Sequence, residues 1–454
     1  MSSDRTDSGR GIFKNLSLLL GGKTIAAIVS FIYIVIITRA LGPAGFGVLV
    51  TINGWAVTVG GIVAFSGWHG IVRYGAQALE AGDTPRLVRL ARFMALVELG
   101  CGVTAMVIAF AFAGVAGQRL GWPPEIVPIA RWFALVIFAN MLTTPVGILQ
   151  LAGRFDRMAI HPGLAPSLRL AGVVLVWLSG GGLREYLIVW LVSGASEGLW
   201  MWWLAWPVFR EMRGREPLLG PVGGTVGENP GLIRFLATAN ADLTLRDFAP
   251  KAAPLIVGGV LGPAAAGIYS LASRAAVIIQ QPATQLAQAS YPVIAKLLAA
   301  GDVAAAKKLS WRTAAIAIAT VVPVVILLAF LSKQILELMG GKGFGAGALV
   351  FILLTAGRAA LLGAVPLSSL LLALGRTTTS ILVNVGVNLA TLPLLVLALH
   401  YYGLQGAGWY GALTGIATFL ILATVLALGK RRPARLEPQA ATAAAIAPSG
   451  IDNG

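Results

Sequence analysis

Stretches of about twenty apolar residues recur along the whole chain, and no other feature restricts its fold so strongly. At 1.5 Å of rise per helical residue, roughly twenty residues cross a hydrocarbon layer about 30 Å thick. Backbone amides inside lipid must find partners within the protein, which leaves helices or closed barrels. Barrel strands alternate every second residue, and these runs do not. They fall near residues 16–38, 46–68, 93–117, 126–150, 160–179, 186–207, 232–258, 264–290, 312–331, 345–372, 379–399 and 406–428. Charged residues are 11% of the chain and hydrophobic ones 57%. A soluble domain carries about 25% charged residues, so this chain cannot clothe a water-facing surface of its own. The expected fold is all-α and integral to the membrane, with about 12 transmembrane helices.

A net charge of +16 invites a nucleic-acid reading, and its distribution answers it. With the N-terminus placed inside, twenty-one basic residues fall in segments on the inner side. Among them are Arg73, Arg86, Arg89, Arg92, Arg154, Arg157, Arg210, Arg213 and Arg215. The other side holds five: Arg39, Arg119, Arg184, Lys333 and Lys342. This asymmetry follows the positive-inside rule and predicts both termini in the cytoplasm. Anionic membrane lipids are then the expected partners of the basic face, and nucleic acid is not. The first apolar run is too long for a signal peptide and is expected to remain as an anchor. Cys101 is alone and can form no intramolecular disulfide.

Landmarks recur at one offset. Leu41-Gly42-Pro43-Ala44 with Gly47 returns as Leu261-Gly262-Pro263-Ala264 with Gly267, and Ala81-Gly82-Asp83 returns as Ala300-Gly301-Asp302. Gly153-Arg154 returns as Gly375-Arg376, Gly182-Leu183 as Gly403-Leu404, and Gly194 as Gly415. Ordered landmarks holding one spacing indicate an internal repeat. Six spans separate equivalent points, an even number, so the halves enter the membrane from the same side as parallel repeats. The expected organisation is an N-terminal six-helix lobe over 1–209, a cytoplasmic linker over 210–231, a C-terminal six-helix lobe over 232–429, and a disordered cytoplasmic tail over 430–454. Leu-Gly-Pro reads as a tight helix reversal, with Gly ending one helix and Pro starting the next.

Ionisable residues inside a span are costly and so become candidates for function. The seventh span concentrates them: Arg234, Asn240, Asp242, Arg246, Asp247 and Lys251, with Pro250 and Pro254. Asp242–Arg246 and Asp247–Lys251 are i,i+4 pairs able to neutralise each other. Such a helix faces a hydrated cavity or a polar seam between lobes. In the eighth span Arg274, Gln281, Gln285 and Gln288 share a helical face. The first half contributes Lys23, Arg131 and Arg169, with Asn140, Thr143 and Thr144; Arg358 lies in the tenth span. Eight basic residues against the acids Glu98, Glu197, Asp242 and Asp247 favour an anionic substrate, and arginine suits phosphate groups. No P-loop run and no Cys/His cluster occur, and His69, His161 and His400 share no metal spacing. Neither a metal nor a cofactor is expected, and enzyme activity is not either.

The segment Thr38-Arg39-Ala40-Leu41-Gly42-Pro43-Ala44-Gly45-Phe46-Gly47 resembles the opening of polysaccharide-biosynthesis flippases, which export undecaprenyl-diphosphate-linked oligosaccharides such as O-antigen units. Leu374-Gly375-Arg376 and Tyr402-Gly403-Leu404-Gln405-Gly406-Ala407 extend the resemblance over most of the chain. These motifs place it in the multidrug/oligosaccharidyl-lipid/polysaccharide exporter superfamily. The resemblance implies two six-helix lobes forming a V around a cavity that opens alternately to each side, lined by the first and seventh spans. Twelve spans leave no room for the two extra helices of lipid II flippases.

The expected activity is therefore translocation of a polyprenyl-diphosphate-linked glycan across the cytoplasmic membrane, for O-antigen, capsule or exopolysaccharide. The diphosphate-binding candidates are Arg246, Lys251, Arg274, Arg131 and Lys23; the glycan-lining candidates are Asn140, Asn240, Gln281 and Gln285. Asp242, Asp247, Glu98 and Glu197 are candidates for coupling to H+ or Na+. Other membrane proteins of polysaccharide assembly are candidate partners. Two alternatives remain open at this point: a cation-coupled multidrug exporter of the same superfamily, and a membrane-embedded glycan polymerase or acyltransferase. The first calls for an acid-dominated cavity, the second for catalytic His or Asp in large outer loops.

Overall fold

The computed structural model describes residues 3–63, 65–140, 143–277, 293–298 and 300–428, with side chains from Ile25 onward apart from Thr377. Gln281 and Gln285 lie outside the described residues, and Lys23 sits in the first helix with its side chain outside the description. The helices are α1 (Ser3–Val63), α2 (Trp68–Glu80), α3 (Thr84–Leu120), α4 (Val127–Trp132), α5 (Leu135–Asn140), α6 (Thr144–Leu151), α7 (Phe155–Leu178) and α8 (Leu183–Arg213). After these come α9 (Thr225–Glu228), α10 (Leu232–Leu261), α11 (Pro263–Val277), α12 (Val303–Gly340), α13 (Ala348–Ala373), α14 (Thr377–Tyr402) and α15 (Leu404–Leu428). Among the described residues nine helical segments are long and apolar enough to cross a membrane.

The protein spans a membrane about twelve times. One of those nine segments, Ile25–Val63, is two crossings, because Gly42 breaks α1 with φ 63 and ψ −176. A residue with a Cβ is strained at that φ, and Pro43 then starts the second arm. α10 carries too much charge to register as an apolar span, and only the first 15 residues of the crossing begun by α11 form a described helix. The face bearing the Gly42 and Gly262 reversals is called the turn face here, and the arginine-rich face opposite it the basic face.

Packing is that of a protein dissolved in lipid. On α3, Ala105, Ala109, Ala113 and Ala116 are buried, while Val107, Phe112 and Val115 are exposed. Small residues face the neighbouring helices and large ones face outward, since lipid offers no drive to hide them and close backbone approach supplies the attraction.

The repeat is visible in backbone geometry. Gly262 breaks the chain with φ 86 and ψ 174, nearly as Gly42 does. Asp83 and Asp302 cap their helices alike: Asp83 accepts from the Arg86 N–H at 3.0 Å and Asp302 from the Ala305 N–H at 2.8 Å. Gly153 and Gly375 share left-handed values of φ 68 and 72. Gly182 and Gly403 differ, with φ −102 against 56; in the first half the left-handed position is Gly180.

The halves meet where the motif repeats. Gly47 lies so close to Pro263 that a Cβ would overlap the Pro263 carbonyl oxygen, and Gly267 stands in the same relation to Pro43. The contact is reciprocal, as a pseudo-two-fold axis along the membrane normal requires. Around it, buried Thr38 donates to the Met339 carbonyl at 2.9 Å, and the Arg39 guanidinium donates to the Leu338 carbonyl at 2.6 Å. Both carbonyls belong to the last turn of α12, where unpaired carbonyls attract cations. Phe46 meets Phe344 edge-on, with ring centroids 6.2 Å apart. The motif Thr38–Gly47 is thus a clamp that joins the halves at the turn face.

At the basic face the segment after α8 lies strapped along α3. Arg86 reaches the Asn229 side chain at 3.0 and 3.1 Å, Arg89 pairs with Glu228 at 2.8 Å, and Arg92 donates to the carbonyls of Leu218 and Pro217.

Replacing Gly47 with Val forces apart two backbones in contact. Overpacking of this kind costs about 1–3 kcal/mol, so the expected result is a lowered midpoint of thermal unfolding in detergent. Gly100→Val, where a Cβ meets open space, should leave the midpoint near its original value.

Candidate functional site

Four helical arms line the seam: the two arms of α1, with α10 and α11. Counted from the turn face at 1.5 Å per residue, Tyr33, Arg169, Lys251, Arg274 and Arg358 all lie at a depth of roughly 14–18 Å, the middle of the hydrocarbon layer. Cationic side chains from both halves therefore share one level in the membrane.

Arg169 of α7 is held by its neighbours. Its Nε donates to the Ser193 hydroxyl at 2.8 Å and its Nη1 to the Tyr33 hydroxyl at 3.3 Å. The guanidinium lies 4.8 Å from the Trp190 ring centre and 5.5 Å from that of Tyr33. Stacking on two aromatic faces favours a desolvated cation by about 0.5–2 kcal/mol, which helps a fixed charge persist at this depth. Across the seam, the charge of Arg274 on α11 also bears on Tyr33. Arg274 is exposed and pairs with no carboxylate among the described residues. Its neighbour Ser273 accepts from Arg358 of α13 at 3.1 Å, and Arg358 lies near Tyr269.

α10 carries the paired charges expected of it. Arg246 meets Asp242 at 2.7 Å and Lys251 meets Asp247 at 3.0 Å. The Asp247–Lys251 pair, with Thr58, Gly61, Asn240 and Thr244, lines a cavity of about 60 Å³ against the second arm of α1. Thr58 donates to the Lys251 carbonyl at 3.3 Å and Thr244 to that of Gly61 at 3.2 Å, tying the halves together. One oxygen of Asp242, Oδ1, is buried without a hydrogen-bond partner among the described residues, and His69 lies within its electrostatic reach.

Glu98 is fully buried on α3. Its Oε1 accepts from the Gly67 N–H at 2.8 Å and the Thr143 hydroxyl at 2.5 Å, and its Oε2 from the Thr144 N–H at 2.9 Å. Gly67 precedes α2 and Thr143 precedes α6, so a single carboxylate caps two helix starts inside the membrane. Free amides there would otherwise be left without partners. Asn240 of α10 reaches the same break, accepting from the Ser66 N–H at 2.5 Å and donating to the Leu236 carbonyl at 2.9 Å.

The remaining candidates are placed apart from the mid-membrane belt. Asn140 donates to the carbonyls of Val136 and Gly194 and so joins α5 to α8. Glu197 is half-buried, and its carbonyl meets the His161 ring at 3.1 Å. Arg131 is exposed on α4 beside Gly114 of α3. No group of three or more His, Cys, Asp or Glu able to hold a metal ion occurs among the described residues. Tyr33, Trp190, Ser193 and Ser273 escaped the reading of the sequence, because nothing in an apolar run marks which hydroxyl or ring meets an arginine from another span.

Comparison with known proteins agrees with this architecture. A family model described as "Polysaccharide biosynthesis protein" matches residues 36–346. The inner membrane protein YghQ of Escherichia coli (strain K12) is 27% identical over 292 residues, 63% of this chain and 81% of that protein. Among solved structures, an inward-facing multidrug resistance MATE family transporter of the MOP superfamily superposes with a TM-score of 0.65 at 14% identity, covering 90% of this chain and 96% of its own. The lipid II flippase MurJ in an inward closed conformation gives 0.64 at 12% identity, covering 90% and 87%. The fold is that of these transporters.

Removing the carboxylate of Glu98 takes away the acceptor of the Thr144 N–H, while the Gly67 N–H keeps the Thr143 hydroxyl at 3.1 Å. A buried donor left unsatisfied costs about 1–3 kcal/mol, so Glu98→Ala should lower stability by about that much. Thermal unfolding with near-ultraviolet circular dichroism reads this directly; an unchanged midpoint would remove Glu98 from its capping role.

Proposed function

Because the chain belongs to the polysaccharide biosynthesis protein family, we propose that it flips a polyprenyl-diphosphate-linked oligosaccharide, of the undecaprenyl type, across the cytoplasmic membrane. The observation that carries this reading is the mid-membrane belt of Arg169, Lys251, Arg274 and Arg358, drawn from both halves onto one level. A diphosphate crossing a hydrocarbon layer needs fixed positive charge at the depth where water is scarcest. An exporter of cationic drugs would need the opposite sign there.

Arg274 is the primary diphosphate ligand in this reading, since its guanidinium is exposed and meets no carboxylate among the described residues. Lys251 joins it when Asp247 gives way, and Arg169, fixed by Tyr33, Trp190 and Ser193, supplies charge from the opposite lobe. The polyprenyl tail stays in the bilayer while the glycan occupies the hydrated seam. Rocking of the lobes about the clamp at the turn face exchanges access between the two sides. Asp242 couples the cycle to a proton or a sodium ion, for its unpartnered Oδ1 offers a place for either beside Arg246 and His69. The E. coli relative is an inner membrane protein, which supports the same location here. The arginine asymmetry supports cytoplasmic termini.

Reconstituted into liposomes, the wild-type protein should move a fluorescent polyprenyl-diphosphate oligosaccharide between leaflets, and Arg274→Ala should fall below about a tenth of that rate. A loss of one charge-assisted contact, about 1.5–3 kcal/mol, corresponds to this factor or more. Arg274→Ala moving the substrate at the wild-type rate would end the site assignment. Asp242→Asn should retain substrate binding while its transport no longer responds to an imposed pH or sodium gradient; a retained response to both would exclude Asp242 as the coupling group.

A further inference from the structure

Away from the seam, α3, α6 and α8 leave an elongated cleft of about 300 Å³ that begins at the basic face. Ala95, Leu96, Leu99, Ile148, Trp202 and Phe209 form its walls. Its α3 wall, Ala91 to Leu99, is about 12 Å long at 1.5 Å per residue. The segment after α8 closes one end, where Leu218 and Leu219 join the lining and Gly220 lies against the Arg92 guanidinium.

The closing loop is unusual for a connector between lobes. It reads Pro217-Leu218-Leu219-Gly220-Pro221, and Leu219 is 85% exposed and Leu218 44%. Bonds from Arg86, Arg89 and Arg92 to Pro217, Leu218, Glu228 and Asn229 strap the segment to α3. Two adjacent leucines held out from a strapped loop are costly in water and favourable at a bilayer surface. Such a loop suits the polar headgroup layer, and Arg92, about 42 Å from the turn face at 1.5 Å per residue, stands at the far edge of a bilayer about 40–45 Å thick with its headgroups. Residues 210–229 with the three strapping arginines of α3 carry six arginines, Arg86, Arg89, Arg92, Arg210, Arg213 and Arg215, against three acids, Glu211, Glu216 and Glu228.

We infer that this cleft holds one acyl chain of an anionic phospholipid, with the lipid phosphate at the arginine rim beside Arg92 and the Leu218–Leu219 loop. The walls are hydrocarbon and aromatic, and the mouth is cationic and sits at headgroup depth; this is the chemistry of a single lipid. The bound lipid touches α3, α8 and the loop together, so it braces the strap that leads into α10. The inference rests on the membrane fold and the cleft, and not on the substrate that is flipped.

Native mass spectrometry of the full-length protein in detergent tests it, with dioleoylphosphatidylglycerol and dioleoylphosphatidylcholine added at equal concentration. The wild-type protein should retain one phosphatidylglycerol at least fivefold over phosphatidylcholine. Ala95→Trp fills the cleft and should abolish retention of both lipids. Arg92→Gln leaves the cleft open and should bring the preference to near unity. Leu175→Trp, on an exposed position of α7, should behave as wild type and shows that an added tryptophan is tolerated. Each variant is first required to match the wild-type elution volume. If Ala95→Trp misfolds, Leu99→Trp replaces it. Equal retention of the two lipids by the wild type, or unchanged preference in both cleft variants, overturns the inference. So does displacement of phosphatidylglycerol by equimolar undecaprenyl phosphate, which would assign the cleft to a polyprenyl tail.

Discussion

Two glycine–proline contacts at the turn face hold the halves together. Gly47 lies against the carbonyl of Pro263 and Gly267 against that of Pro43, an approach possible only where neither glycine carries a side chain. In lipid, helices gain little from burying apolar surface against each other, because hydrocarbon surrounds them on every side. Close backbone packing and a few directed hydrogen bonds must supply the attraction instead. Thr38 and Arg39 provide such bonds, using the free carbonyls at the end of α12. Thr58 and Thr244, bonded to the carbonyls of Lys251 and Gly61, carry the contact between the halves further along the seam.

Polar groups elsewhere in the membrane fall into two kinds, separated by what they touch. One kind meets backbone. Glu98, Asn140 and Asn240 satisfy amides or carbonyls at helix starts and helix junctions, and at residues 65–67 Glu98 accepts from the Gly67 N–H and Asn240 from the Ser66 N–H. The other kind meets other side chains at one level of the seam. Arg169, Lys251, Arg274 and Arg358 belong to it, and the hydroxyls and rings around Arg169 hold its charge in place. Lys251 is balanced by Asp247 on its own helix. A cation with a carboxylate partner one turn away can exchange that partner for an anionic ligand, whereas an arginine gripped by aromatics stays fixed.

The repeat has been conserved in form and has diverged in chemistry. The helix breaks at Gly42 and Gly262, and the caps at Asp83 and Asp302, are almost superposable in backbone angles. The arginines have no such counterparts: the position 220 residues before Arg274 is Gly54, and that before Lys251 is Phe31. Backbone geometry answers to the need to turn at a membrane surface, which is the same in both halves. Side chains in the seam are under no such common requirement.

Much of this was determined by sequence alone. Run length and the absence of alternation dictated membrane helices, since lipid permits so few backbone solutions. The offset of 220 residues between the Leu-Gly-Pro reversals dictated two parallel halves. The spacing Asp242–Arg246 and Asp247–Lys251 dictated two ion pairs, because four residues make about one helical turn. Contacts between distant spans were decided only by the tertiary structure. That Glu98 accepts from residues 31 and 45 positions away at two helix starts, that Arg169 stacks between Tyr33 and Trp190, and that the connector straps itself to α3 depend on which helix faces meet. Most of each span is apolar on all sides, so periodicity says little about which partner a given face meets across the bundle. Only packing decides that.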